Sequence, residues 1–200
     1  MADVNTALWY LGRGSGFVAL VLLTLVMALG IATRSGRALP GLPRWAGQQL
    51  HRNASLLAVS FLVAHVLTLT LDPYAQLRVV DAVVPFVGAQ RPLWLGMGTL
   101  SLDLLLAVLV TSLLRQRVGN RVWRGVHWLS YAAWPTAFFH TIGDGSDARR
   151  SWALGLTLLC LAVVAGASCW RLSAEFERPR RLPGQRSAGR PRVEREHVGG

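Results

Sequence analysis

His51 and His65 stand fourteen positions apart in one apolar stretch, and His127 and His140 stand thirteen apart in another. Imidazole is a common axial ligand of haem iron, and a haem held by two side chains takes one from each of two facing helices. At about 1.5 Å of rise per residue, each pair covers roughly 20 Å along a helix. That is about two thirds of a hydrocarbon core of about 30 Å. Ligands at two depths suit two stacked haems, a path for electrons through a membrane. A lone intramembrane histidine is often only a hydrogen-bonded packing residue. Four of the five histidines in register on two segments argue against that reading for the set. The fifth, His197, falls in a polar tail and reads as solvated.

The elements that must carry these side chains are long and apolar. Of 200 residues, 52% are hydrophobic and 16% charged, against about a quarter charged in an ordinary soluble domain. Five runs, 9–31, 48–71, 94–114, 122–142 and 152–171, are expected to be transmembrane helices. They are nearly free of charge apart from Asp103 and the end-flanking Arg13, Arg52 and Arg124. Trp9, Trp45, Trp94, Trp123, Trp152 and Trp170 lie near span ends, as an interfacial aromatic belt requires. The expected fold is an all-α integral membrane bundle of about five helices spanning the bilayer, with bis-histidine haem sites between two parallel helices. Residues 1–174 form this domain. Residues 175–200, rich in Arg, Pro and Gly, form a disordered tail.

The net charge of +11 comes from arginine alone. These arginines alternate by loop, which indicates topology and not nucleic-acid binding. Arg34, Arg37, Arg44, Arg52, Arg115, Arg117, Arg121, Arg124 and the eight from Arg171 onward make sixteen on one side. Arg13, Arg78, Arg91, Arg149 and Arg150 make five on the other. The N-terminus is therefore expected outside a cell membrane and the C-terminus in the cytoplasm. In the first span the positive charge follows the apolar run, the reverse of a cleavable signal peptide.

Topology then pairs the histidines. The second and fourth spans both start on the arginine-rich side, so they are parallel. His51 with His127 forms an inner pair, and His65 with His140 an outer pair. Fourteen residues are about 3.9 turns, so His51 and His65 share nearly one face. Thirteen are about 3.6 turns, which puts His127 and His140 on different faces of an ideal helix. Pro135 lies between them, and a proline kink is the expected remedy.

Other residues support weaker readings. Arg52 and Arg124, beside the inner histidines, suit haem propionates or are plain positive flanks. Trp134, midway between His127 and His140, fills the space between haems or is an ordinary core aromatic. Asp103, central in the third span, serves proton movement or packing, with Ser60 or Tyr131 as hydrogen-bond partners. Gly12, Gly14 and Gly16 indicate close helix contact, since no strand precedes them as a phosphate loop would need. Cys160 and Cys169, nine residues apart on one helix, are too distant for a disulfide and read as apolar filling. Between the second and third spans, 79–88 is too short to cross and reads as an interfacial or re-entrant cap.

The runs HRNASLLAVSFLVAH and WRGVHWLSYAAWPTAFFH resemble the ferric reductase-like transmembrane domain family, across roughly residues 8–172. That family includes NADPH oxidases, cell-surface ferric reductases and the haem-binding membrane subunit of a bacterial periplasmic methionine sulfoxide reductase system. The resemblance implies b-type haem ligation by His51, His65, His127 and His140, two haems in all. Many members have six helices where five are expected here. The flavin and nicotinamide domains of the oxidases have no counterpart in these residues. The implied function is transmembrane electron transfer, as an oxidoreductase component whose own catalytic status stays open. The donor would be a quinol or a separate cytoplasmic flavin reductase bringing FMN or FAD, and the acceptor would lie on the outer side. A quinone-linked cytochrome b anchor of a larger complex, or a non-redox polytopic membrane protein, are the competing readings.

The arginine split yields a direct test of orientation. A reporter active only outside the cytoplasm, fused after Arg195, is expected to stay silent. Strong external activity would overturn both the orientation and the labels inner and outer.

Overall fold

The computed structural model describes residues 2–35, 43–75, 77–145, 147 and 150–173. Arg37, Arg149, His197 and the expected tail at 175–200 lie outside the described residues. Among the described residues there are six α-helices and no strand: α1 (Ala2–Arg34), α2 (Arg44–Leu71), α3 (Pro92–Leu113), α4 (Arg115–His127), α5 (Ser130–Asp144) and α6 (Ser151–Leu172). Prolines set several ends. Pro43 is the N-cap of α2 and Pro92 opens α3, where a missing N–H costs nothing and a fixed φ favours the first turn. After α2, the Asp72 carboxylate accepts the Tyr74 backbone N–H at 2.9 Å, and Pro73 cannot continue the helix.

Four of these helices, α1, α2, α3 and α6, are long and apolar enough to cross a bilayer. They match four of the five expected spans. The fourth, expected at 122–142, is instead divided into α4 and α5, of 13 and 15 residues. Neither alone reaches about 30 Å at about 1.5 Å per residue. The division has a local cause, and it is not Pro135. Backbone bonds from Trp128 to Gly125, Leu129 to Val126, Tyr131 to Trp128 and Ala132 to Leu129 are all of the i→i+3 kind. Such tight winding turns the chain by about 120° per residue instead of about 100°. It adds rotation between His127 and His140, in the direction their thirteen-residue spacing requires. Pro135 sits inside α5, downstream of this rewound stretch.

The helices pack as two antiparallel pairs. α1 lies along α2, and α3 lies along α4 and α5, while α6 closes against α1. Leu20, Trp134, Phe138, Cys160 and Val164 form the core where α1, α5 and α6 meet, with Val21, Leu23 and Met27 packed against it. Across it the Trp134 indole N–H donates to the Thr24 hydroxyl at 3.0 Å. That satisfies a polar tip that would otherwise be buried without a partner. Cys160 is buried in this core and Cys169 is exposed, both as free thiols.

The segment between α2 and α3 caps one end of the bundle, as expected. It holds a 3₁₀ turn at Val79–Ala82. Phe86 then adopts a φ of 68° and lies where a side chain at 96 would stand, so Gly96 is required for the close approach. The Thr99 hydroxyl donates to the Asp81 carbonyl at 2.6 Å, and Arg78 pairs with the Asp81 carboxylate at 2.7 Å. Arg13 and Arg150 pair with Asp147, and Arg91 stands 3.8 Å from Asp144. All four described ion pairs thus gather at the end of the bundle that carries this cap.

The Arg78 guanidinium, chiefly through its side-chain hydrogen bonds, holds the Asp81 carboxyl below the usual carboxylate range, against the upward pull of burial. A lowered folded-state pKa means that the pair contributes fully above the ordinary value of about 4 and is lost as pH falls through the lower one. The cap should hold unchanged from pH 8 to about pH 5 and loosen only below about pH 4. Asp81→Asn should loosen it throughout. The mobility of a spin label at Ala89→Cys, in a background without Cys160 and Cys169, measures this. A wild-type cap that loosens between pH 7 and 5 would contradict the assignment.

Candidate functional site

The four histidines of the apolar segments come together in two pairs. The rings of His51 and His127 have centroids 6.4 Å apart and planes crossing at 67°. Those of His65 and His140 are also 6.4 Å apart, crossing at 73°. These are the pairings expected from parallel second and fourth spans. Both members of each pair can meet only if α2 runs parallel to the α4–α5 path, and it does. α2 packs on α1 and is the most open of the four long helices, with 6% of its apolar window buried against 17–22% for the others. Its histidines reach toward α4 and α5 across a space that helix packing does not close.

Hydrogen bonds fix the tautomer of three rings. Nδ1 of His51 lies 3.0 Å from the Val26 carbonyl, Nδ1 of His65 2.7 Å from that of Gly12, and Nδ1 of His140 2.9 Å from that of Trp94. A carbonyl oxygen can only accept, so each Nδ1 carries the proton and donates it. The neutral ring then keeps its Nε2 lone pair free, on the side away from the carbonyl. Metal-ligating histidines show this pattern: the second nitrogen is tied down, which orients the ring and raises its basicity. His127 differs. Its Nδ1 is buried without a partner, and its ring leans on Trp123 at 5.0 Å.

The spacing fits a metal on a line between two imidazoles. Two metal–nitrogen bonds of about 2 Å, plus roughly 1 Å from each nitrogen to its ring centre, place the centroids about 6 Å apart. Both pairs match. Among the described residues no three histidine, cysteine or acidic side chains cluster as a metal-holding group. A bare zinc ion asks for three or four protein ligands. A pair suits an iron whose equatorial positions are filled by a macrocycle.

The remaining expected site residues are placed differently. Arg52 and Arg124 are exposed, next to His51 and one turn before His127, and Arg124 Nε donates to the Asn120 carbonyl at 3.3 Å. Trp134 spends its N–H on Thr24 and its face on Phe138, which makes it a core aromatic of α1, α5 and α6. Asp103 meets neither expected partner. The Ser60 hydroxyl donates to Leu56 within its own helix, and the Tyr131 hydroxyl accepts from Arg171. Ser101, two residues earlier, makes the bond from α3 to α5, donating to the Ala133 carbonyl at 2.8 Å. Of the three early glycines, Gly12 and Gly16 do face close neighbours, Leu69 and His65, whereas nothing lies near Gly14. Gly30 and Gly98 were not singled out by sequence, yet they sit against the rings of His51 and His140.

Comparison with known proteins gives one finding. The family described as ferric reductase like transmembrane component matches residues 15–138, more than half of the chain. No curated protein and no solved structure matches.

Proposed function

The chain belongs to the ferric reductase-like transmembrane component family, and from that premise we propose that it is a b-type haem electron-transfer protein of the cell membrane. His51 and His127 would hold one haem, His65 and His140 a second. The observation that carries this reading is the repeat of one geometry at two depths: centroids 6.4 Å apart in both pairs, with Nδ1 tied to a carbonyl in three of the four rings. When bound, haem supplies one-electron chemistry that amino-acid side chains lack. The chain's own part is to hold imidazoles at fixed depth, keep their Nε2 lone pairs free and shield the path with apolar helices. Arg52, beside His51 in α2, and Arg124, in the last turn of α4, stand where propionates would need cations.

The direction of transfer follows from charge. Arg115, Arg117, Arg121 and Arg124 are all exposed, and none belongs to a described ion pair. At the opposite end Arg13, Arg78, Arg91 and Arg150 are neutralised by Asp147, Asp81 and Asp144. This asymmetry supports a cytoplasmic end at α4 and a fifth crossing made by α4 and α5 together. A field of unpaired arginines attracts an acidic donor and speeds encounter at low salt. The donor in this reading is a cytoplasmic flavin reductase, with quinol as the other candidate, and electrons leave to an acceptor on the outer side.

Haem content is the first test. The purified, fully loaded protein should hold two b-type haems per chain, and His65→Ala or His140→Ala should remove the outer one and leave the inner. A loaded wild-type protein with at most one haem would defeat the two-site reading.

The donor surface makes a second. With an acidic flavin reductase as donor, haem reduction should slow as ionic strength rises, and slow again in Arg117→Gln with Arg121→Gln. Stopped-flow absorbance gives the rate, and one indifferent to both salt and these changes would remove the arginine surface from the mechanism.

A further inference from the structure

The three hydrogen-bonded histidines share a feature that goes past ligation. Each donates to a helix carbonyl whose residue lies four positions before a glycine. His65 uses Gly12, with Gly16 one turn on; His51 uses Val26, with Gly30; His140 uses Trp94, with Gly98. In an α-helix the carbonyl of residue i points toward the N–H of residue i+4, and the side chain there stands over its second lone pair. A glycine at i+4 opens that lone pair to a neighbouring helix. A Cβ at 16 would lie 2.9 Å from Cε1 and Nδ1 of His65, at 30 3.2 Å from Cε1 of His51, and at 98 2.7 Å from Nδ1 of His140. Gly16 and Gly30 are fourteen residues apart, as are His51 and His65, so one antiparallel register seats both rings of α2 on α1.

The fourth ring has no such seat. Trp123, one turn before His127, donates to the Ser112 hydroxyl at 3.2 Å, near the end of α3. There Thr111 donates to the Ala107 carbonyl at 2.7 Å and Ser112 to that of Val108 at 2.6 Å. Side-chain hydroxyls take up carbonyls of this stretch of α3, and His127 Nδ1 has no partner.

We infer that Gly16, Gly30 and Gly98 are positioning residues, each exposing a backbone carbonyl that orients one imidazole and raises its donor strength. The outer pair therefore has two seats and the inner pair one. This inference rests on the bis-histidine reading. A tied Nδ1 strengthens the ligand and favours the oxidised metal, so losing a seat raises the midpoint potential of the haem it serves.

The experiment uses the haem-loaded full chain with Gly16→Ala, Gly30→Ala and Gly98→Ala, and Gly14→Ala as control, since nothing lies near Gly14. Potentiometric titration assigns the outer wave as the one lost in His65→Ala. Gly16→Ala and Gly98→Ala should raise the outer potential and weaken outer-haem retention about 10- to 100-fold, leaving the inner wave in place. Gly30→Ala should act on the inner wave alone, and more mildly, because its contact is looser. Gly14→Ala should match wild type. Unchanged potentials, or equal shifts of both waves in every variant including Gly14→Ala, would overturn the assignment. Nitrogen-15 NMR of the reduced, diamagnetic wild-type protein tests it without any variant. Three axial Nδ1 protons should show the downfield shift of an N–H donated to a carbonyl and one should not, and any other count refutes the seats. A wild-type protein that takes up no haem would instead refute the bis-histidine reading itself.

Discussion

A hydrogen bond from an imidazole Nδ1–H to a helix carbonyl is the contact on which the arrangement of this bundle turns. It joins α2 to α1 at two levels and α5 to α3 at one, through His65, His51 and His140. A helix exposes few carbonyl lone pairs to a neighbour, because its own N–H groups take one and the side chain one turn on covers the other. Each bond therefore demands a specific place on the accepting helix and a small residue one turn beyond it. Once those places are set, so are the register of α1 on α2 and the depth of each ring. The Nε2 atoms are left to face across the space between α2 and the α4–α5 path.

That space has a structural reason to exist. α2 packs on α1, α5 packs on α3, and the core of Leu20, Trp134, Phe138, Cys160 and Val164 joins the pairs through α1, α5 and α6. The histidine-bearing helices α2 and α5 are held by their neighbours and not by each other. The bond from Trp134 to Thr24 and that from Ser101 to the Ala133 carbonyl fasten α5 from two sides. In an apolar surrounding such bonds have little competition from water, though model studies put each at only about 1–2 kcal/mol or less. Several together are needed to hold ring pairs to one spacing.

Much of this was legible in the residues, and the reasons for the rest are physical. Hydropathy marked α1, α2, α3 and α6, because a run of about twenty apolar residues has few other uses. The alternation of arginines made the second and fourth spans parallel, and that alone paired His51 with His127 and His65 with His140. The rewinding at 125–132 was missed. Proline is the conspicuous breaker in that stretch, while a change from i→i+4 to i→i+3 bonding has no single residue that announces it. Asp103 drew attention because an acid in a span is costly, yet the α3 contact to α5 belongs to Ser101, a residue too ordinary to stand out. Gly16 was noticed for its neighbours in sequence. Gly30 and Gly98 become meaningful only when an antiparallel partner is known, although the shared spacing of fourteen in Gly16–Gly30 and His51–His65 was there to be found.

The unequal treatment of the two pairs bears on how one chain could give two similar metal sites different properties. Both pairs have the same ligands at the same centroid distance, so neither residue type nor spacing separates them. What differs is the second nitrogen. Both outer rings are tied to carbonyls, whereas in the inner pair His51 is tied and His127 leans on Trp123 with its Nδ1 unpaired. Ligand basicity is among the levers by which a protein sets a metal's potential. The inner pair also lies nearer the unpaired arginines of α4, whose positive field favours the reduced state. With haem bound as proposed, hydrogen bonding and charge would act in the same sense, making the inner site the easier to reduce. Electrons entering from the arginine-rich end would meet the more accepting site first, and passage outward would depend on the acceptor or on mass action to draw them on.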